Sequence, residues 1–214
     1  MTTCCVEDLG LIDYKQAYIL QKQHVAEVLN GGPQTFLLCE HPAVLTLGRL
    51  ADEKNMLIDE KELVKQGIGI HHIDRGGDIT LHAPGQLVIY PILDLGNFGK
   101  DLRRYLHRLE QVAIDLLGDF DIVASRFSGQ TGVWTGGKKI ASVGIGVRKW
   151  IAFHGLAVNV NTDLNLFSMI KPCGLDVEMT SIAGMKKRTV QMAEVKEKMT
   201  NHFCRNFRLE CVKD

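Results

Sequence analysis

A chain of 214 residues, 45% of them hydrophobic and 23% charged, is long enough to bury a sizeable core and short enough for one domain spanning residues 1–214. Basic and acidic side chains balance at 25 each, so the basic excess of a nucleic-acid binder is missing, and any charged partner must meet a local patch. No apolar run approaches a membrane span and the first residues form neither a secretory leader nor a transit segment, so a soluble protein of a bacterial cytoplasm, with no membrane partner, is expected.

In chain order, Asp13 caps a helix expected to run to about Asn30, stopped by Gly31-Gly32-Pro33. Thr35 to Glu40 reads as a buried strand between two prolines, and Val44 to Arg49 resumes an extended pattern. Asp59 to Lys65 is a short helix closed by Gly67. Gly69 to Ile73 and Ile79 to His82 read as paired strands around the turn Arg75-Gly76-Gly77-Asp78, and Leu87 to Leu93 as another strand. Asp101 caps the clearest helix, with Leu102, Leu106, Leu109, Val112 and Leu116 on one face. Ile122 to Ala124 is a short strand. A hairpin enters at Gly132-Val133-Trp134, turns at Gly136-Gly137 and returns through Lys139 to Ile145; Phe153 to Val160 is a further strand. Asp163 to Met169 is a helical turn, and Met192, Val195, Met199, Phe203 and Phe207 mark a C-terminal amphipathic helix. Many short strands with helices at both ends and one inserted predict an α+β domain with a mostly antiparallel central sheet flanked by helices.

The six cysteines, Cys4, Cys5, Cys39, Cys173, Cys204 and Cys211, form no Cys-x-x-Cys pair. No metal site is expected, and their scatter reads as reduced thiols. One of them is presented differently: in Pro172-Cys173-Gly174 the thiol sits between a residue that fixes φ and one that frees it. Such a position suits a nucleophile that needs both a fixed place and room for a bulky electrophile. Two lysines follow the hairpin turn, Lys138 and Lys139, and in a strand they face opposite sides. By residue type alone both are solvated turn residues. A lysine meeting Cys173 would favour the thiolate and remain available as an acid; His82 and His154 are the rival bases. The densest motif, Arg75-Gly76-Gly77 through His82-Ala83-Pro84-Gly85-Gln86, puts glycines at strand ends where backbone N–H groups approach a ligand, but no Gly-Lys-Ser/Thr follows to make a phosphate loop. Arg103, Arg104 and Arg108, and Lys186-Lys187-Arg188, are basic clusters that read as solvated faces or as docks for an acidic protein.

Glu40-His41-Pro42, the Arg75 to Gln86 stretch, Gly137-Lys138-Lys139-Ile140, Phe153-His154-Gly155-Leu156-Ala157-Val158-Asn159-Val160 and Pro172-Cys173-Gly174 occur in the order seen in lipoyl(octanoyl) transferases. The chain resembles that family over roughly residues 5 to 207. The resemblance implies the fold of the catalytic domain of biotin and lipoate protein ligases, an α/β domain with a large, mostly antiparallel sheet. It implies transfer of octanoyl from octanoyl-acyl carrier protein to a lysine of the lipoyl domains of 2-oxoacid dehydrogenases and the glycine cleavage H protein, with no cofactor. It makes Cys173 the nucleophile, which carries the acyl group as a thioester, and Lys139 its partner. It maps substrate contacts onto Arg75, Gly76, Gly77, Asp78, Ile79, Thr80, Leu81 and His82, onto Ser142, Val143 and Gly144, and onto Gly155, Leu156 and Ala157, with His154 and Gln86 in support. One departure is Ala83, where the family usually has glycine, with a change of acyl-length preference as one consequence. The rival readings are an ATP-dependent lipoate or biotin ligase on the same fold, a non-catalytic acyl-carrier or lipoyl-domain binding module, and a cysteine hydrolase with His154 as base.

Overall fold

Three α-helices of this chain start on an aspartate. Asp13, Asp59 and Asp101 each take an extended or turn conformation and accept hydrogen bonds from N–H groups of the first turn that follows. They start α1 (Tyr14–Leu29), α2 (Glu60–Lys65) and α3 (Leu102–Gly118); α4 (Ile182–Lys186) and α5 (Met192–Phe207) complete the helices. The computed structural model describes residues 2–172 and 177–213. The expected nucleophile Cys173 lies outside the described residues.

Eight strands build the main sheet: β1 (Thr2–Leu11), β2 (Gln34–Glu40), β6 (Gln86–Ile92), β7 (Ser125–Phe127), β8 (Gln130–Thr135), β9 (Lys138–Arg148), β10 (Ile151–Asn159) and β11 (Leu209–Lys213), in the order β11-β1-β2-β6-β10-β9-β8-β7. The sheet is mixed, because β1 runs parallel to both β2 and β11 while every other pair is antiparallel. One face is covered by α3 and α5. Phe203 lies across Phe36 with ring centroids 4.0 Å apart, and Val112, Leu116 and Met199 fill the space beneath. The other face receives α1 through Ala17, Val25 and Val28 against Leu37, Val88 and Phe153. A second sheet of three strands, β4 (Gly69–His72), β3 (Val44–Leu47) and β5 (Ile79–His82), packs on α2 and on the turn at Leu164–Met169.

Several expectations need correction. The strands at 69–73 and 79–82 are not hairpin partners, because β3 inserts between β4 and β5 and pairs with both. Residues 122–124 form no strand; the edge strand starts at Ser125, one step later. Cys204 and Cys211 are not separate reduced thiols. The turn after α5 carries β11 back along its C-terminal end, placing the two Cα atoms 6.1 Å apart in a disulfide. Among the described residues no helix is long and apolar enough to cross a membrane, and no group of three or more His, Cys, Asp or Glu is placed to hold a metal ion.

Candidate active site

A cavity opens where the two sheets meet, and its wall is made by residues from both. Arg75, Gly76, Gly77, Thr80 and His82 come from the stretch leading into and along β5, Ser142, Val143 and Gly144 from β9, and His154, Gly155, Leu156 and Ala157 from β10. Twelve of the residues expected at the site therefore converge. Cys173 lies outside the described residues, Lys139 is not in this wall, and the other four have different tasks. Ile79 and Leu81 point into the small sheet's own core. The Asp78 carboxylate accepts from the Asp52 N–H and from the Asn55 amide, holding the loop outside the cavity. Gln86 backs His82. Ala83 is buried but outside the wall, and its φ is not positive, so its methyl is accommodated in the turn that Gln86 N–H closes on Ala83 O.

Three wall residues escaped the sequence reading: Tyr14, Val88 and Tyr90. Val88 and Tyr90 share the strand parity of Gln86, so the two-residue period carried the signal. Tyr14, the first residue of α1, carried none, because it reaches the cavity only through tertiary packing.

The glycines of the wall make close approach possible. A Cβ on Gly155 would lie 2.4 Å from Ile89 O on the neighbouring strand, and one on Gly144 would lie 3.0 Å from Arg75 Cδ. The loop is stitched to β9 by Gly76 N–H donating to Ile145 O at 2.8 Å. Arg75 is turned inward, its guanidinium donating to the Thr46 carbonyl at 2.7 Å and the Thr46 hydroxyl at 3.0 Å.

His41, His82 and His154 are held neutral at pH 7. Burial pushes the His82 imidazole down to about 3, helped by the neighbouring His41, with the Gln86 hydrogen bond opposing. Burial lowers His41 as well, against the bond its ring N–H makes to Ile12 O; Tyr90 OH donates to its other nitrogen at 2.8 Å. For His154, burial outweighs the raising effect of Asp74, whose oxygen lies 3.0 Å from Nε2. Burial raises Asp74 too, but hydrogen bonds from His154, Lys22 and Tyr18 win, and the carboxyl stays well below its usual range. The Asp74–His154 contact is therefore a carboxylate accepting from a neutral imidazole N–H. Asp74 ties α1 to the glycine loop, and His154 keeps a φ of +56° in this setting, strain that surrounding contacts hold in place.

Lys138 and Lys139 part as the strand period requires. Lys138 is half-exposed and pairs with Glu178 at 2.6 Å. Lys139 is only 1% exposed, with Nζ 5.2 Å from the centroid of the Trp134 ring. Its backbone joins the segment that follows the Pro-Cys-Gly motif: Lys139 N–H donates to Glu178 O, and Thr180 N–H to Lys139 O, both at 2.8 Å. A wide groove beside it is lined by Pro172, Met179 and residues of the Leu164–Met169 turn.

This is the architecture of lipoate protein ligase catalytic domains. The chain matches the bipartite lipoate protein ligase of Thermoplasma acidophilum with a TM-score of 0.79 over 100% of this chain and 87% of that one, a likeness of fold at 16% identity. The family model of the lipoyl protein ligase A/B catalytic domain matches residues 13–204, and the chain belongs to that family. A protein of Solibacter usitatus named octanoyltransferase is 45% identical over 211 residues, covering 98% of this chain and 96% of its own length. Another octanoyltransferase, from Syntrophotalea carbinolica, is 48% identical over 200 residues, 92% of each chain.

Proposed function

We propose that this chain is a single-domain cytoplasmic octanoyltransferase that moves octanoyl from octanoyl-acyl carrier protein to the target lysine of lipoyl domains, including that of the glycine cleavage H protein. Cys173 carries the acyl group between the two, and Lys139 moves the proton. The observation that carries this reading is the buried Lys139, bonded through its main chain to residues five and seven positions after Cys173. Its support in sequence is the 45% identity to a named octanoyltransferase over nearly the whole chain.

The Cys173 thiolate attacks the donor's thioester carbonyl, and the carbonyl electrons return as the carbon–sulfur bond to the carrier arm breaks. The departing thiolate takes a proton from the Lys139 ammonium, leaving octanoyl on Cys173 and a neutral Lys139. The acceptor amine then attacks the new thioester. Lys139 takes the proton that nitrogen sheds, and Cys173 leaves as thiolate, restoring the starting state. Exchange of thioester for thioester is near balance and thioester to amide runs downhill, so no nucleotide enters. With its imidazole pushed down to about 3, His82 is a poor base at pH 7, and burial lowers the basicity of His154 as well. The cavity takes the alkyl chain. Burying about six methylenes contributes roughly 5 kcal/mol, enough to favour octanoyl over short acyl groups.

Incubation with octanoyl-acyl carrier protein should add one octanoyl mass to the intact protein, located on Cys173, and chase onto an added lipoyl domain. Cys173→Ala should do neither. Transfer by Cys173→Ala at the normal rate, or transfer that requires ATP, would overturn the reading, the latter in favour of a ligase.

A further inference from the structure

The cavity wall and the catalytic strand are joined by one unbroken line of buried hydrogen bonds. His82 Nδ1 lies 2.7 Å from Gln86 Oε1, and Gln86 Nε2 lies 2.9 Å from Asn159 Oδ1 and 3.3 Å from Leu81 O. Asn159 Nδ2 lies 2.9 Å from Thr180 O, and the Thr180 N–H donates to Lys139 O at 2.8 Å. His82, Gln86, Asn159, Thr180 and Lys139 are all buried.

Main-chain carbonyls fix the polarity of this line, because they only accept. The Asn159 atom facing Thr180 O must be its NH₂, so its oxygen faces Gln86. The Gln86 atom between that oxygen and Leu81 O must then be NH₂ as well. The Gln86 oxygen is left for His82, whose Nδ1 must carry the proton. A neutral imidazole protonated at Nδ1 presents a bare lone pair at Nε2. The polar direction of a catalytic strand's anchor thus sets the tautomer of a ring in the substrate cavity.

We infer that Gln86 and Asn159 are positioning residues for acyl transfer: they lock His82 as an Nε2 hydrogen-bond acceptor and hold the Glu178–Thr180 segment against Lys139. The inference rests on the role proposed above for Lys139. Asn159 is the joint, since it touches both the cavity side of the line and the segment following the Pro-Cys-Gly motif. Asn159→Asp keeps the shape and still accepts from Gln86, but cannot donate to Thr180 O. Gln86→Met keeps the length and releases the ring.

The experiment has two arms. In wild-type protein labelled with ¹⁵N-histidine, the His82 ring should show protonated Nδ1 and unprotonated Nε2 at pH 7; in Gln86→Met that preference should be lost. In the second arm, folded Asn159→Asp should acylate Cys173 and pass octanoyl on with kcat reduced roughly 10- to 100-fold and donor KM little changed, the signature of misplaced reacting groups rather than weakened binding. A proton on Nε2 of wild-type His82 would overturn the inference whether or not any variant folds. So would an Asn159→Asp protein with normal kcat. A wild-type protein that never acquires octanoyl on Cys173 would instead sink the proposed function and leave the tautomer result standing.

Discussion

Acidification from pH 7 to pH 5 is expected to destabilise this protein through its buried histidines. The folded state holds His82 neutral, with its ring pushed down to about 3 by burial and by His41, whereas in the unfolded chain it protonates at the ordinary value of 6.5. The unfolded state therefore binds more protons between those limits, so stability rises with pH across that window and is lost as pH falls below 6.5. From 6.5 to 5 is 1.5 units at about 1.4 kcal/mol each, so His82 alone removes about 2 kcal/mol. His41 and His154 are also lowered and act in the same direction. Asp74 and Asp119, both held below the usual carboxylate range, add their losses only at pH values under 4 and leave the window clean. For a chain of this size, 2 kcal/mol is roughly 4–8 °C in Tm. Denaturant unfolding at pH 7, 6 and 5 measures the slope, and His82→Gln should remove its share. A free energy of unfolding that is flat over this range, or a His82 resonance titrating above pH 6, would refute the reasoning.

Two further substitutions separate backbone from side-chain crowding. Gly155→Ala drives a methyl to within 2.4 Å of Ile89 O and 2.7 Å of Pro91 Cδ, so β10 must shift from β6; loss of cooperative unfolding is expected, and a normal melting curve would count against the close approach. Gly144→Ala meets the Arg75 side chain at 3.0 Å and the Gly76 carbonyl oxygen at 3.3 Å, crowding that a small shift of the side chain and loop relieves, so the fold should survive while competition between octanoyl and hexanoyl donors moves toward the shorter chain. In the core, Phe203→Ala empties the stack on Phe36 and Phe207 and should cost about 3–5 kcal/mol by urea unfolding; a loss under 1 kcal/mol would mean that α5 collapses onto the sheet.

What the sequence made legible was whatever depends on neighbours along the chain. The apolar stripe of α3, the aspartate caps and the Gly136-Gly137 hairpin were all readable because three to seven adjacent residues decide them. β1 was not. Its residues Thr2–Leu11 are mostly polar or half-exposed, with only Cys4 and Val6 buried, and it is a strand because β2 and β11 lie on either side of it. The same distance effect hid the order β4-β3-β5, since a hairpin around Arg75–Asp78 looks complete until β3 is seen to occupy the gap. At the site, the two-residue period put Lys138 and Lys139 on opposite sides without saying which is buried, while Tyr14 and the Asp74 link to Lys22 depend on where α1 packs.

The electrostatics of the cavity favour the proposed neutral acyl thioester over a charged acid. His41, His82 and His154 are neutral at pH 7, Tyr14 is pushed far above its ordinary range by burial, and the Asp74 carboxylate is matched by Lys22. Arg75 spends its guanidinium on Thr46. A free carboxylate entering this space would surrender its hydration to groups already occupied, whereas a thioester brings no net charge to desolvate. In the proposed function, activation arrives with the substrate, as the thioester itself. On that proposal, what remains for the protein is placement: an alkyl chain in the cavity, and the proposed proton carrier Lys139 on a strand whose register the Asn159 bond to Thr180 O ties to the cavity wall.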